Sequence, residues 1–125
     1  MSRHDELPRR LEAIDRLWDA IGAAAGGDTV GFCLDTCHAH AGGNDLGTVV
    51  EKVRAITGRI DLVHANDSRD AFDSGADRHT NLGAGHIAPG DLADVVRAAG
   101  APVVVETPGG AQAQSGDLAW LRERL

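Results

Sequence analysis

The stretch that decides the fold is Gly31-Phe32-Cys33-Leu34-Asp35-Thr36-Cys37-His38. Its apolar first half is typical of a buried strand, and a carboxylate and an imidazole follow that strand closely. Two later apolar runs, at 60–63 and 102–105, end in the same manner, so the three runs finish in Asp35, His64 and Glu106. Carboxyl ends of parallel strands meet at one edge of a sheet, where α/β folds place their sites. We therefore expect a divalent metal site at that edge, with zinc as the first candidate.

Helical patterns separate the predicted strands. Apolar residues recur every three or four positions near 11–21, 46–56, 92–96 and 118–125, as on one face of an amphipathic helix. The order is α-β-α-β-α-β-α, and crossovers of this length require parallel strands in an α/β fold. Three strands leave both sheet edges unpaired, so residues 8–125 look like the second half of a larger domain. Residues 1–7 are charged and unpatterned, which predicts a disordered lead-in.

Composition narrows the class of protein. The chain has 125 residues, 42% of them hydrophobic and 25% charged, which is typical of one globular domain. A net charge of −7 argues against a nucleic-acid partner, unless bound dications cancel the carboxylates where a phosphate would dock. No leader opens the sequence and no apolar run is long enough to span a membrane, so a cytoplasmic location is expected.

The two cysteines are expected to be a buried, reduced pair. If Cys33 and Cys37 lie on one extended segment, their Cα atoms are about 13 Å apart, too far for a disulfide. Zinc binding by this pair remains a less favoured alternative, because the spacing is unusual and there is no second cysteine pair.

The candidate ligands divide into two groups. In extended chain, Asp35 and His38 would point to opposite sides, whereas Asp77 and His79, two residues apart, would point to one side. The last two lie in the long irregular segment 65–88, a kind of segment that is often functional. In the same segment we interpret Asn66, Asp67 and Asp73 as turn formers. The full candidate set is Asp35, His38, His64, Asp77, His79 and Glu106.

Four motifs along the chain resemble the signature segments of the endonuclease IV family. The resemblance covers nearly the whole chain from about Pro8, and the motifs occur in the family's order and at similar spacing. They are Cys33-Leu34-Asp35-Thr36-Cys37-His38, His64-Ala65-Asn66-Asp67-Ser68, Asp77-Arg78-His79 with Leu82-Gly83-x-Gly85, and Val105-Glu106-Thr107-Pro108.

The resemblance implies a (β/α)8 TIM barrel, of which this chain would be the C-terminal half with about three parallel strands. It also implies a trinuclear zinc site that cleaves DNA on the 5′ side of an abasic deoxyribose. Asp35, His64 and Glu106 match ligands of one zinc in the family's binuclear pair, and Asp35 and Glu106 are the expected catalytic residues. The third zinc's ligands match His38, Asp77 and His79. Clustered dications suit this hydrolysis, because they make water nucleophilic near neutral pH and polarise the phosphate.

Two further expectations follow from the resemblance. Arg78 is placed to contact the DNA backbone, although a surface salt bridge is an equally good reading. The family's first two histidine ligands and its bridging glutamate belong to the other half of the barrel, so at most two zinc ions and little or no activity are expected here. The missing half or a second chain would complete the barrel.

Two other functions remain open at this stage. One is a xylose-isomerase-like sugar isomerase or epimerase, since strand-end carboxylates and histidines also serve there. The other is a non-catalytic metal-binding half-barrel. The Asp77-Arg78-His79 segment favours the nuclease, because it supplies a third metal cluster.

Overall fold

A computed structural model of the chain describes residues 10–125. It confirms the predicted alternation of helices and strands and adds one short α-helix, a 3-10 helix at Gly27–Thr29 and two short strands. In chain order the elements are α1 (Arg10–Ala23), β1 (Cys33–Asp35), α2 (Thr36–Ala41), α3 (Val49–Thr57), β2 (Leu62–His64), β3 (Asp67–Ser68), β4 (His79–Thr80), α4 (Pro89–Ala99), β5 (Val103–Val104) and α5 (Gly110–Arg122). The predicted lead-in at residues 1–7 lies outside the described residues.

The main sheet has three parallel strands in the order β1-β2-β5. This confirms the predicted partial barrel: within residues 10–125, β1 and β5 are sheet edges and the barrel is not closed. The register pairs Asp35 with His64, and His64 with Val104. The strand ends that carry the candidate ligands therefore lie side by side, as the sequence predicted.

The two faces of this sheet differ sharply in burial, because successive residues of a strand point to opposite sides. Leu34 and Val63 pair in register on the face that packs against the helices, and both are buried. On the other face Cys33 is exposed and Val104 is 41% exposed. The buried core therefore lies on one side of the sheet only; its largest members from the helices are Val49, Val53, Leu92, Val95 and Leu121.

The segment after β1 is a helix, which corrects the extended conformation predicted for it. Residues 36–41 form α2, and Asp35 is its N-cap, with Oδ1 accepting a hydrogen bond from the backbone N–H of His38 at 3.0 Å. Aspartate favours this position because its carboxylate satisfies an amide that the first helical turn leaves unpaired. The cap joins the Asp35 carboxylate to the backbone of His38. The extended chain on which the predicted separation of the two side chains depended is therefore absent.

Two further expectations are corrected. The long segment 65–88 is not irregular throughout, because β3 and β4 pair antiparallel across it, with Ser68 opposite His79. The cysteines are both free, but only Cys37 is buried, because Cys33 lies on the open face of the sheet. The expectation of a buried pair is therefore wrong for Cys33.

No helix within residues 10–125 is long and apolar enough to cross a membrane.

Candidate metal centre

The first cluster, which we call the strand-end cluster, consists of Asp35, His64 and Glu106. Asp35 and His64 are the last residues of β1 and β2, and Glu106 lies two residues after β5. One ligand atom from each lies within 4.8 Å of the others. His64 Nδ1 is 2.7 Å from Glu106 Oε1 and 3.8 Å from Asp35 Oδ2. The parallel register therefore brings together the three side chains that the sequence placed at strand ends.

The second cluster, which we call the loop cluster, consists of His38, Asp77 and His79. His38 Nδ1 is 3.4 Å from Asp77 Oδ2, and His79 Nε2 is 3.7 Å from Asp77 Oδ1. His38 comes from α2, and His79 begins β4, where its pairing with Ser68 fixes its backbone. Asp77 lies between the two imidazoles. The side chains that sequence reasoning grouped for a second ion are therefore neighbours.

His79 joins the two clusters. Its Nε2 atom is 3.6 Å from Asp35 Oδ2, nearly the same separation as from Asp77 in the loop cluster. Within residues 10–125 the ion pairs of Asp35, Asp77 and Glu106 are all with histidines. Three carboxylates therefore face three imidazoles without a lysine or arginine among these pairs, an arrangement that favours dications.

The hydrogen bonding of His79 selects one ring tautomer. His79 Nδ1 lies 3.1 Å from the backbone oxygen of Glu106, and a carbonyl oxygen can only accept, so Nδ1 carries the proton. In the neutral ring, Nε2 then directs a lone pair toward two carboxylates. A lone pair that faces two carboxylates is repelled, and a positive ion bound between them would remove this repulsion. A ring N–H bonded to a backbone carbonyl is also the usual way in which a metal-binding histidine is oriented.

The separations within the two clusters, and the one that joins them, are close to those around a zinc-sized ion. Two nitrogen or oxygen ligands of one tetrahedral zinc ion lie about 3.4 Å apart. Four of the observed separations are between 3.4 and 3.8 Å, and the fifth, between His64 and Glu106, is 2.7 Å. In the strand-end cluster only that pair would have to move apart to share an ion. In the loop cluster His38 contacts Asp77 but is not in the group of Cys37, Asp77 and His79 whose ligand atoms lie within 4.8 Å of one another, so it would have to approach His79.

Sequence reasoning missed Cys37 as a neighbour of the loop cluster. Its buried sulfur lies with ligand atoms of Asp77 and His79 in a group whose members are within 4.8 Å of one another. Burial, together with a hydrogen bond to the Asp77 carboxylate, raises the pKa of the Cys37 thiol to about 12. The thiol therefore stays protonated beside Asp77 when no ion is present. The spacing of the cysteines gave no signal of this contact.

Arg78 does not point into either cluster. Its guanidinium donates two hydrogen bonds to Asp70, Nε to Oδ2 at 2.9 Å and a terminal nitrogen to Oδ1 at 2.5 Å. This pairing lowers the pKa of Asp70 and raises that of Arg78. Of the two readings of Arg78, the surface salt bridge is present in the structure, and the DNA contact stays a prediction.

The residues that follow His64 organise the site to an extent that the turn interpretation missed. Asn66 and Asp67 are fully buried. The Asp67 carboxylate accepts hydrogen bonds from four backbone N–H groups at 2.8–3.1 Å, those of Ser68, Gly83, Gly85 and Ile87. It thereby fixes the chain segment that leaves β4 after His79. The motif His64-Ala65-Asn66-Asp67-Ser68 thus supplies one ligand and the scaffold for others.

The chain matches a known family over almost its whole length. Residues 3–124 match the family model described as xylose isomerase-like TIM barrel. The chain belongs to the xylose isomerase-like TIM barrel family. This membership agrees with the three parallel strands and flanking helices described above, and it confirms the predicted fold class.

Relatives within this TIM barrel family confirm the resemblance to endonuclease IV. The chain is 54% identical over 118 residues to Probable endonuclease 4 of Mycobacterium tuberculosis, and 52% identical over 118 residues to the protein of the same name from Mycobacterium leprae. Each alignment covers 94% of this chain and 44% of the relative, so the chain spans less than half the length of these curated relatives. The matched part is their C-terminal half.

A solved structure supports the same relationship. The crystal structure of endonuclease IV from Thermus thermophilus is similar with a TM-score of 0.59 and 35% sequence identity. The similarity covers 73% of this chain and 38% of the other. The three-stranded partial barrel is therefore a recognisable part of that larger fold.

Proposed function

We propose that this chain carries part of the active site of a zinc-dependent endonuclease that cleaves double-stranded DNA on the 5′ side of abasic sites, in base excision repair. The observation that carries the proposal is the junction at His79, whose Nε2 lies 3.6 Å from Asp35 and 3.7 Å from Asp77. Through this ring the strand-end and loop clusters form one continuous site, as phosphodiester hydrolysis by several dications requires. The names of the Mycobacterium relatives support the same reaction class.

Each cluster would hold one zinc ion. Asp35, His64 and Glu106 would bind the first, with Asp35 and Glu106 as catalytic residues in contact with it; the loop cluster would bind the second. When bound, zinc polarises a phosphate and makes water nucleophilic near neutral pH. The protein's own contribution is to orient the ligands, which it does through the Asp35 cap of α2 and the bond from His79 Nδ1 to the Glu106 carbonyl.

The chain by itself is proposed to be a poor enzyme. The remaining ligands of the family's binuclear pair belong to the other half of the barrel, and the chain spans only 44% of its relatives. We propose that an N-terminal half or a second chain covers the open face that carries Cys33 and Val104 and completes the site. The expected setting is the cytoplasm, where the partner is abasic duplex DNA.

Arg78 is proposed to bind the DNA backbone. It lies between two ligands of the loop cluster, and its side chain is 59% exposed although it is paired with Asp70. Because the Arg78 side chain is largely exposed, a phosphate can reach its guanidinium, although Asp70, which is 17% exposed, already accepts two of its hydrogen bonds. The guanidinium is also suited to bidentate phosphate recognition.

The test is cleavage of a duplex that contains a single abasic site, in the presence of zinc. We expect little or no product from the purified chain. We expect cleavage on the 5′ side when the chain is fused behind the segment of the Mycobacterium tuberculosis relative that precedes the matched region. Glu106→Gln and His79→Ala should abolish cleavage by the fusion, and Asp94→Ala, an exposed carboxylate on α4, should leave it intact.

Two results would overturn parts of this proposal. Robust cleavage by the purified chain would contradict the need for further ligands. A zinc-loaded, folded fusion without any cleavage would contradict the nuclease assignment and leave a non-catalytic metal-binding half-barrel. The alternative of a sugar isomerase or epimerase is disfavoured by the loop cluster, which beside a completed binuclear pair would be a third metal site, whereas such enzymes use one or two metals. Conversion of a pentose by the fusion would restore this alternative.

A further inference from the structure

The Asn66 side chain connects the Asp35 carboxylate with the backbone of Glu106, the two acidic residues of the strand-end cluster. It is fully buried, two residues after His64. Its side-chain Nδ2 donates to Asp35 Oδ2 at 3.3 Å, and its Oδ1 accepts from the backbone N–H of Glu106 at 2.8 Å. One amide therefore connects the end of β1 to the residue that follows β5.

The orientation of this amide is determined by its partners. The backbone N–H of Glu106 can only donate, so Oδ1 of Asn66 must face it. Nδ2 then points to Asp35, whose Oδ2 accepts its hydrogen bond. The backbone of Asn66 is fixed as well: its N–H donates to Thr36 Oγ1 at 2.9 Å, and its carbonyl accepts from the same hydroxyl at 2.6 Å. The amide is thus held at both its side chain and its backbone.

The contact with Asp35 completes the restraint of that carboxylate. Oδ1 of Asp35 is occupied by the N–H of His38 in the α2 cap, and Oδ2 is the oxygen that Asn66 contacts. Oδ2 is also the atom that faces both His64 and His79. Asn66 therefore acts on the one oxygen through which the two clusters meet.

We infer that Asn66 is a positioning residue that sets the separation of Asp35 and Glu106 and thereby the metal affinity of the strand-end cluster. The inference rests on the proposed function in taking this cluster as a metal site. This buried amide keeps the Asp35 carboxylate from turning away when the ion is absent, and it fixes the backbone from which the Glu106 side chain extends. Removing such an outer contact to a metal ligand typically weakens metal binding about 10–100-fold.

The test measures zinc affinity at each cluster separately, by competition with a chromophoric chelator. Asp77→Ala disables the loop cluster and leaves the strand-end cluster; His64→Ala does the reverse. We expect Asn66→Ala to weaken zinc binding about 10–100-fold in the Asp77→Ala background, and to change it less than about twofold in the His64→Ala background. The matched control is Asn81→Ala, which removes an amide bonded to Asp117 and Pro108 but to no ligand, and should leave both affinities unchanged.

A purely structural role of Asn66 gives a different pattern. Equal weakening in both backgrounds, or a fall in thermal stability with unchanged affinities, would overturn the inference while the metal site remains. If Asn66→Ala does not fold, Asn66→Ser replaces it, because a short hydroxyl reaches at most one of the two partners; misfolding of both variants would also overturn the inference. If neither background binds zinc at all, the proposed function fails together with it.

Discussion

The strand-end and loop clusters hold similar ligands by different means. Asp35 and His64 are register neighbours in a parallel sheet, and their side chains are only 20% and 26% exposed. His38 and Asp77 stand on a short helix and a loop, and theirs are 57% and 44% exposed. The sheet thus places ligands by hydrogen-bonded register, whereas the loop depends on a few buried polar anchors. We therefore expect substitutions of the buried polar residues that support the site to disturb the loop cluster more than the strand-end cluster.

The largest effect is expected from Asp67→Ala, which removes the main anchor of the loop. Two buried and two partly buried backbone N–H groups would lose their acceptor, so we expect a loss of about 3 kcal/mol in the free energy of unfolding. Urea denaturation of the metal-free chain measures it. Asp94→Ala, an exposed carboxylate paired with Arg97, is the control and should change stability by less than about 0.5 kcal/mol. A loss below about 1 kcal/mol for Asp67→Ala would show that the loop is held by something else.

A smaller loss is expected from Gly85→Ala, which acts on the same anchor from the other side. A Cβ atom at Gly85 would collide with the backbone oxygen of Ser68 and with the Asp67 carboxylate. We expect a loss of about 2 kcal/mol in the free energy of unfolding. We also expect the substitution to weaken zinc binding more at the loop cluster than at the strand-end cluster. Gly90→Ala has open space around the new Cβ and should be neutral. Equal effects of the two substitutions would contradict the close approach.

Arg78→Ala should leave stability and metal content nearly unchanged but alter DNA binding. If Arg78 contacts one phosphate, removing it should reduce the slope of log affinity against log salt by about 1. The measurement is binding of the fusion protein to an abasic duplex at several salt concentrations. Arg97→Ala, whose guanidinium lies on α4 and bonds Asp94, is the matched control. An unchanged slope would leave Arg78 as a salt-bridge residue only.

The smallest effect is expected at the opposite end of the sheet, at Asp61. Its carboxylate accepts hydrogen bonds from Arg59 and from the Phe32 N–H, which lower its pKa to about 2. Because the folded-state pKa lies below the unfolded value of about 3.9, the stabilisation is present above about pH 4 and is lost as pH falls through about 2. Asp61→Asn should therefore be less stable than the parent at neutral pH, with a difference that shrinks toward about pH 2 and an unchanged zinc content. A pH-independent difference in urea midpoint would contradict this reading.

The sequence predicted the strand-end cluster better than its surroundings. Three apolar runs end in Asp35, His64 and Glu106, and neighbouring parallel strands end at one edge of a sheet. The strand pattern alone therefore predicted that these side chains meet. His38, Asp77 and His79 were candidates by position, but only the family resemblance favoured Asp77 and His79 as ligands over a solvated turn, because a polar loop without periodicity carries no signal of where it folds back. The grouping of His38 with Asp77 and His79 stays a prediction, and the extended chain assumed in arguing for it is absent, since α2 begins directly after β1.

The supporting residues were beyond sequence reasoning. Asn66 and Asp67 have the composition of a turn, and their burial depends on contacts with residues 16 to 40 positions away. Cys33 was expected to be buried because its strand is apolar, yet its side chain lies on the face of the sheet opposite the helices. Alternation along a strand predicts two faces but does not say which of them the described chain covers.

The most direct test of the account is zinc content per folded chain by elemental analysis. We expect about two ions for the parent, about one for His64→Ala and for Asp77→Ala, and none for the double variant. Asp94→Ala should keep the parent's content. A parent without zinc, or single variants that retain the parent's content, would contradict the claim that this chain builds two metal-binding clusters.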